Sequence, residues 1–243
     1  MNKIRADQLV AKNSKVRSRK MAADLLKSGV VKINGRVVDK LSSRVAEGAR
    51  VEIMSLPKYV GRGGLKLERA LAEFKVDVAG KIVLDVGSSV GGFTDCVLKH
   101  GAKKVYAVDV GTGQLSPKLR EHPRVVPYEQ TDIRALSELP ELIDVAVVDV
   151  SFVSLTQVLP SICGLLRPQG QVIALIKPQF EIEPDKLNKR GVVKDEESVL
   201  AAVSKIKNWA KGFGFLIGGV VKSPIKGAKG NVEFFICLRV SGK

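Results

Sequence analysis

Four charged residues lie in or directly after short apolar runs, where a side chain can act on a ligand. Asp85 lies in I-V-L-D-V and Asp109 follows V-Y-A-V, while Asp149 ends V-A-V-V-D and Lys177 ends V-I-A-L-I-K. Such runs predict strands buried on both faces of a parallel sheet. Because ligands bind at the carboxyl ends of these strands, we expect the four residues at one edge of the sheet. A structural ion pair between Asp149 and Lys177 is the alternative.

A glycine-rich turn follows the first of these runs. Gly87, Gly91 and Gly92 lie in D-V-G-S-S-V-G-G-F-T, between a predicted strand at Ile82–Val86 and a helix that opens near Gly92. Glycine lets bare backbone approach a ligand, and the helix start points its free N–H groups at the same place. Asp109 comes about 20 residues later, the spacing at which a carboxylate meets the hydroxyls of a bound ribose. The alternative is a turn that is glycine-rich only for tight packing.

The acid at the head of the turn helps to choose among adenosine-containing cofactors. The spacing D-x-G-x-x-x-G-G differs from the G-x-G-x-x-G that binds dinucleotides. Asp85 suits a cofactor with a positive charge and an amino group better than one with phosphates. S-adenosylmethionine is such a cofactor. The predicted cofactor-binding residues are Asp85, Gly87, Ser88, Gly91, Gly92, Phe93, Asp109, Asp132 and Ile133.

Strands and helices alternate through the remainder of the chain. The predicted helices begin near residue 64 and span about 153–166 and 196–211. The predicted strands span residues 104–110, 124–128, 145–150, 171–177, 215–221 and 232–240. This alternation indicates an α/β fold with a doubly wound, mostly parallel sheet. The last two strands are joined by a loop too short for a crossover helix, so we expect them to pair antiparallel at one edge.

The first sixty residues carry most of the positive charge. The chain has a net charge of +15, and residues 1–60 hold 14 Lys/Arg against 5 Asp/Glu. Helices predicted at 5–11 and 18–27, with strands at 30–33 and 49–54, indicate a small α+β module. Asn34-Gly35 predicts a two-residue turn in a hairpin-like region after the first of these strands. A concentrated basic segment favours a polyanionic partner, although any single lysine can serve only solvation. The residues expected on its basic face are Arg5, Lys15, Arg17, Arg19, Lys20, Lys32, Arg36 and Lys40.

Membrane and metal binding are not expected. The longest charge-free apolar stretch, residues 150–166, is interrupted by polar residues and Pro160 and is too short to span a bilayer. The start, M-N-K-I-R-A-D-Q, lacks the apolar core of a secretory signal, so we expect a cytoplasmic protein. His100 and His122 do not have the spacing of metal ligands.

The N-terminal motifs resemble a known RNA-binding domain. They are R-x-D-x-L, S-R-x-x-A-x-x-L and S-G-V-V-K-I-N-G-R-V-V. Similar motifs form the S4-like domain of a ribosomal small-subunit protein, many pseudouridine synthases and bacterial tyrosyl-tRNA synthetases. The resemblance implies that the basic face binds structured RNA. It divides the chain into an RNA-binding domain at 1–55, a linker at 56–62 and a second domain at 63–243.

The second domain resembles the FtsJ-like ribose 2′-O-methyltransferases, which have a Rossmann-like fold. Lys66, Asp149, Lys177 and Glu233 match their Lys-Asp-Lys-Glu tetrad, within G-R-G-G-L-K-L, V-V-D-V-S-F, A-L-I-K-P-Q-F-E and N-V-E-F. With the N-terminal module included, nearly the whole chain resembles the TlyA (hemolysin A) family. The resemblance implies S-adenosylmethionine-dependent methylation of a ribose 2′-hydroxyl in ribosomal RNA, at a cytidine.

The same resemblance implies roles for the tetrad. Lys177 is the expected base, with Lys66 as a neighbouring cation, Asp149 as the residue that orients them, and Glu233 as an anchor for Lys66 or the ribose. The pKa of a lysine side chain, about 10.4 in a model peptide, falls on burial and beside a second cation. An exposed acid on an edge strand is the alternative for Glu233.

Two other functions remain open at this stage. The hemolysin name suggests a membrane-lytic protein, which the absence of a strongly amphipathic segment argues against. A methyltransferase that acts on RNA bases is the second. Amino-group methylation favours an Asp/Asn-Pro-Pro-aromatic turn, whereas Asp149 is followed by Val-Ser-Phe, and no cysteine ends a strand to attack a pyrimidine carbon.

Overall fold

In the computed structural model, which describes residues 2–16, 18–27 and 29–240, the chain divides into two units between Lys58 and Tyr59. The division falls within the segment 56–62 that we expected as a linker. Each unit has its own apolar core.

The first unit combines two helices with short strands. Its elements are β1 (Lys3–Arg5), α1 (Ala6–Ala11), α2 (Arg19–Lys27), β2 (Val31–Ile33), β3 (Arg36–Val37), β4 (Arg44–Ala46) and β5 (Val51–Ile53). β1 pairs with β4, and β2 lies between β3 and β5. Asn34 and Gly35 both have positive φ, at 49° and 79°, and join β2 to β3 as the two-residue turn that this dipeptide predicts.

The first helix begins one residue later than predicted. Arg5 is extended, with φ −71° and ψ 145°, because it ends β1 and pairs with Arg44 of β4. β1 and β4 were not predicted, since three residues are too few to show the alternation of a strand, and β3 was indicated only by the turn that leads into it. α1 and α2 pack together with β2 around Leu9, Leu25 and Val31.

The second unit is an α/β sheet covered by helices. Its elements are α3 (Gly63–Phe74), β6 (Ile82–Val86), α4 (Gly92–Lys99), β7 (Lys104–Val108), α5 (Pro117–Arg120), β8 (Val125–Tyr128), β9 (Ile143–Val148), α6 (Leu155–Leu165), β10 (Leu166–Ile176), α7 (Glu196–Phe213), β11 (Phe215–Lys222) and β12 (Phe234–Val240). No helix in the described ranges has both the length and the apolarity needed to cross a membrane.

The sheet has the strand order β11-β12-β10-β9-β6-β7-β8. β6 to β10 are parallel, and β12 runs antiparallel to both β10 and β11, so the expected antiparallel pair is present. β12 is inserted between β10 and β11 and leaves β11 at the edge. The reason is burial: the middle of β12 is covered on both faces, whereas β11 is only partly covered.

Helices cover both faces of the sheet. Apolar residues of α6 and α7 pack on one face, and those of α3 and α4 pack on the other. This is the doubly wound arrangement that the alternating pattern predicts. The carboxyl ends of β6, β7, β9 and β10 therefore meet at one edge, where the antiparallel β12 begins.

Candidate active site

The predicted charged residues come together at this edge. Asp85 lies within β6, Asp109 directly follows β7, Asp149 follows β9, and Lys177 follows β10. Glu233 directly precedes β12, and the register of β10 with β12 places Phe234 opposite Ile176, so Glu233 is at the same edge.

Lys177 and Asp149 form an ion pair. Lys177 Nζ lies 2.7 Å from Asp149 Oδ1, and the side chains are 12% and 24% exposed. The Lys177 ammonium also donates a well-aligned hydrogen bond to Ser151 Oγ, at 2.8 Å. The structure therefore contains the Asp149–Lys177 ion pair that the alternative interpretation of these residues proposed. Its partial exposure at the ligand-binding edge also leaves it open to a substrate.

Lys66 and Glu233 form a second, more deeply buried pair. Lys66 Nζ donates to Glu233 Oε2 at 2.5 Å, and the two side chains are 11% and 3% exposed. Glu233 is thus not the exposed edge acid of the alternative interpretation. Removing one member of such a pair leaves a buried charge uncompensated. Each tetrad lysine has its own acid, and Glu233 anchors Lys66.

The glycine turn brings three segments into close contact. Gly87 has φ 81°, and a Cβ there would lie 2.6 Å from the backbone oxygen of Asp149. Gly91 has φ 96° at the start of α4, where a Cβ would overlap the Leu119 side chain. Asp109 accepts hydrogen bonds from the backbone N–H groups of Ser89 and Gly111, both at 2.7 Å. Packing therefore requires glycine at these positions, as the alternative for this turn proposed.

Asp85 has the environment of a ligand-binding acid. It is fully buried, and one carboxylate oxygen accepts a hydrogen bond from Thr94 Oγ1 at 2.5 Å. The other oxygen has no hydrogen-bond partner within the described residues. Burial, together with the charges of Asp149 and Asp109, raises the pKa of Asp85 to about 7. A ligand that brings a positive charge or an N–H donor would satisfy this oxygen.

The other predicted cofactor residues have mixed surroundings. Ser88 is buried in the turn, Gly92 begins α4, and Phe93 and Ile133 are buried among core residues. Asp132 caps a single helical turn by accepting from the Arg134 N–H at 2.9 Å. Hydrogen bonds from Arg134 lower the pKa of Asp132.

Two residues that the sequence did not single out connect the loops of the site. Glu181 is buried and accepts hydrogen bonds from Ser154 Oγ (2.6 Å) and the Leu155 N–H (2.8 Å), which joins the loop after β10 to the loop after β9. Burial raises the pKa of its carboxyl. The only sequence signal was an acid next to apolar residues in Q-F-E-I, which does not identify a partner. Asn231 links two other loops, described below.

An exposed aromatic residue stands beside Lys177. Phe152 follows Ser151, is 88% exposed, and has a φ of 64°, which is strained for a phenylalanine. Its ring centroid lies 5.0 Å from that of Phe180. A large apolar ring held in solvent at the site offers a surface on which a ligand can stack.

The basic residues of the first unit lie mostly on its surface. Arg5, Lys15, Arg19, Arg36 and Lys40 are exposed, and Lys32 on β2 is partly exposed opposite Glu52. Arg5 forms an ion pair with Asp7 at 2.9 Å. Arg17 and the side chain of Lys20 lie outside the described residues.

Comparisons with known proteins identify both units. A family model described as FtsJ-like methyltransferase matches residues 59–240, and a model of the S4 domain matches residues 4–51. Hemolysin A from Brachyspira hyodysenteriae is 42% identical over 95% of this chain and 98% of that protein. A 16S/23S rRNA (cytidine-2′-O)-methyltransferase, TlyA from Mycobacterium tuberculosis, is 39% identical over 97% of this chain and 89% of that protein.

A solved structure shows the same fold over nearly the full length. It is a candidate hemolysin from Streptococcus thermophilus, 39% identical, with a TM-score of 0.78, and it covers 99% of this chain and 90% of that chain. The chain therefore belongs to the TlyA (hemolysin A) family, whose members join an S4 domain to an FtsJ-like methyltransferase domain.

Proposed function

We propose that this protein transfers a methyl group from S-adenosylmethionine to a ribose 2′-hydroxyl of ribosomal RNA, at a cytidine. The observation that carries the proposal is the Lys177–Asp149 ion pair, which lies partly exposed beside the buried, unpartnered oxygen of Asp85. The relative from M. tuberculosis is named for this reaction. Since ribosomes are cytoplasmic in bacteria, the proposed substrate also favours a cytoplasmic location.

The residues of the site divide the chemistry between them. S-adenosylmethionine supplies an electrophilic methyl group, and the protein must place the 2′-oxygen in line with it and accept one proton. Lys177 Nζ would take the proton of the 2′-hydroxyl, and Asp149 and Ser151 hold this nitrogen in place. The Lys66–Glu233 pair would fix the neighbouring wall of the site.

The site also has features suited to an RNA ligand. The exposed ring of Phe152 can stack on a nucleobase, which has a π-face whatever its identity. The first unit supplies positive charge, with 14 Lys/Arg against 5 Asp/Glu in the first sixty residues. Positive charge of this kind binds RNA through its phosphates, without reading sequence.

Asp109 is expected to contribute directly to cofactor affinity. Replacing it by alanine should weaken S-adenosylmethionine binding by about 1 to 3 kcal/mol, the cost of losing charge-assisted hydrogen bonds. Isothermal titration calorimetry measures the change. Asp77→Ala is a matched control, because Asp77 also accepts a backbone N–H (that of Ala79, at 2.8 Å) but precedes β6, at the opposite end of that strand. Equal affinity in the Asp109 and Asp77 variants would remove Asp109 from the cofactor site.

Asp85 is expected to make cofactor affinity depend on pH. Because the pKa of Asp85 is raised to about 7, the free protein holds this carboxyl mostly protonated below pH 7. A cationic ligand favours the ionised form, so affinity should rise with pH up to about 7, by at most about tenfold per pH unit.

Calorimetry of Asp85→Asn over the same pH range provides the control. This variant retains any titration of the ligand itself, so the difference between the two proteins reports Asp85. Parallel pH profiles for the wild type and the variant would show that Asp85 does not ionise on binding.

The proposed reaction is tested by incubating the full-length protein with radiolabelled S-adenosylmethionine and either ribosomal subunits or naked ribosomal RNA. We expect label in the RNA. The membrane-lytic alternative is tested with the same preparation by dye release from liposomes. Dye release by purified protein that leaves the RNA unlabelled would reject the proposed function in favour of lysis.

A further inference from the structure

Two basic loops flank the catalytic edge outside the tetrad. The first spans residues 186–194, after β10, and the second spans residues 222–231, between β11 and β12. We call them the basic loop pair. The second loop leads directly into Glu233, so the pair lies next to a residue of the proposed active site.

The first loop has an ordered tip. Leu187 and Val193 form an isolated antiparallel bridge, and Asn188 Oδ1 accepts two backbone hydrogen bonds, at 2.8 and 3.1 Å, from within the turn. This geometry presents Lys189 and Arg190 to solvent at the tip.

A buried asparagine ties the two loops together. Asn231 is 3% exposed, accepts the Val193 N–H at 2.9 Å and donates from Nδ2 to the Gly191 carbonyl at 2.9 Å. Its own carbonyl accepts from the Gly227 N–H at 2.9 Å. The side chain thus satisfies a donor and an acceptor of the first loop while its backbone closes the second. The loops therefore form one surface.

Close packing holds this surface against the site. A Cβ at Gly227 would overlap the carboxylate of Glu233, the partner of Lys66. A Cβ at Gly191 would lie 3.3 Å from Lys229 Nζ, so Lys229 reaches across to the first loop. The second loop is thereby held against the Lys66–Glu233 pair, and the first loop is tied to the second through Asn231.

Four of these charges are not neutralised. Lys189, Arg190, Lys226 and Lys229 are exposed, and their head groups make no ion pair or hydrogen bond with any residue in the described ranges. Asp195, a nearby acid, is engaged as the cap of α7, where it accepts the Ser198 N–H at 2.7 Å. A solvated charged face is the ordinary outcome for scattered lysines, but loops clamped together by a buried side chain beside an active site are not scattered.

We infer that the basic loop pair binds backbone phosphates of the RNA strand that carries the methylated ribose. The inference rests on the proposed function. A ribose placed at Lys177 brings the phosphates on its 5′ and 3′ sides to this edge, because they are bonded to the same sugar. Contacts to phosphates position an RNA strand without reading its bases, which is the contribution that four unpaired cations can make.

The test compares two full-length variants with the same change in charge. The first replaces Lys189, Arg190, Lys226 and Lys229 by glutamine. The control makes the same replacement by glutamine at four exposed lysines at the amino ends of the parallel strands, away from the site. They are Lys81 and Lys103, which precede β6 and β7, and Lys207 and Lys211, in the second half of α7. Filter binding to naked 23S rRNA over a range of salt gives the affinity and its salt slope.

The loop-pair variant is expected to bind this RNA at least about tenfold more weakly than the control variant. Its slope of log affinity against log salt should be shallower by about 3, as four lost phosphate contacts predict. S-adenosylmethionine affinity and the unfolding midpoint should match those of the control. Equal RNA affinity and slope in the two variants would overturn the inference.

A third variant tests whether the hydrogen bonds of Asn231 between the two loops are needed. Asn231→Ala retains all four charges but unties the loops, so RNA affinity should fall by roughly 3- to 10-fold, the equivalent of lost buried hydrogen bonds. Unchanged affinity would show that the positions of the charges do not matter.

Methyl transfer to the same RNA by the wild-type protein separates the two proposals. No transfer would refute the proposed function, whereas transfer with equal affinity and slope in both charge variants would refute the loop-pair inference alone. The loop-pair inference would also be overturned if the loop-pair variant, but not the control, lost binding to phosphatidylglycerol vesicles while its RNA affinity stayed unchanged.

Discussion

Lys177→Ala is expected to lower the rate of methyl transfer by on the order of 100-fold or more, the usual contribution of a positioned general base. Asp149 and Ser151 hold the Lys177 side chain at the carboxyl edge of the sheet, so its removal leaves no amine at this position. Affinities for S-adenosylmethionine and for RNA should change little. Lys207→Ala, an exposed lysine on α7, is a suitable control. Single-turnover assays at saturating RNA measure the chemical step.

Lys177→Arg distinguishes a base from a mere positive charge. Arginine retains the charge and can still pair with Asp149, but it does not lose its proton in the accessible pH range. The arginine variant is therefore expected to be nearly as inactive as the alanine variant. Near-normal turnover in Lys177→Arg would mean that the residue contributes charge only and that the base lies elsewhere.

Removing residues 1–58 is expected to have the largest effect on RNA affinity. The deletion takes away 14 of the 40 Lys/Arg residues and the whole S4 unit. RNA binding should weaken by roughly 100-fold at moderate salt, with a shallower salt slope, because fewer phosphates are neutralised. The same filter-binding assay measures both quantities.

The cut after Lys58 is chosen to preserve the cofactor site. Tyr59 is buried in the second unit, and the Val60 N–H donates to Asp95 Oδ2 on α4 at 2.9 Å, so both must remain. S-adenosylmethionine affinity should equal that of the full chain. A truncated protein that bound RNA as tightly and with the same slope would show that the S4 unit has some other role.

The sequence predicted the sheet well because its signals are local. Buried runs such as I-V-L-D-V and V-I-A-L-I-K each form a strand in the structure, and an acid or lysine in or just after a run lies near the carboxyl edge of the sheet. The Asn34-Gly35 turn was similarly predictable, because both residues tolerate the positive φ that a two-residue turn requires. The position of β12 between β10 and β11 was not predicted. It depends on which strand is covered on both faces, and that is a property of the whole sheet.

The pairing of site residues could not be read from spacing. Lys66 and Glu233 are 167 positions apart and meet only because α3 packs near the start of β12. In the sequence, Lys66 is distinguished only by lying outside the apolar face of the helix predicted to begin near residue 64. Its place in the site was predicted from the family resemblance. Glu181 gave only the weak signal of an acid next to apolar residues, and Asn231 gave none, since a buried polar residue is recognised by its partners and those lie on other loops.

The methyl group is expected on the ribose oxygen and not on a base. Alkaline cleavage of RNA needs a free 2′-hydroxyl, so a 2′-O-methyl group protects the adjacent phosphodiester bond. After transfer from radiolabelled S-adenosylmethionine to ribosomal RNA and complete alkaline hydrolysis, we expect the label in alkali-stable dinucleotides, with mass spectrometry placing the methyl group on a ribose. Label recovered in mononucleotides carrying a methylated base would contradict the assignment.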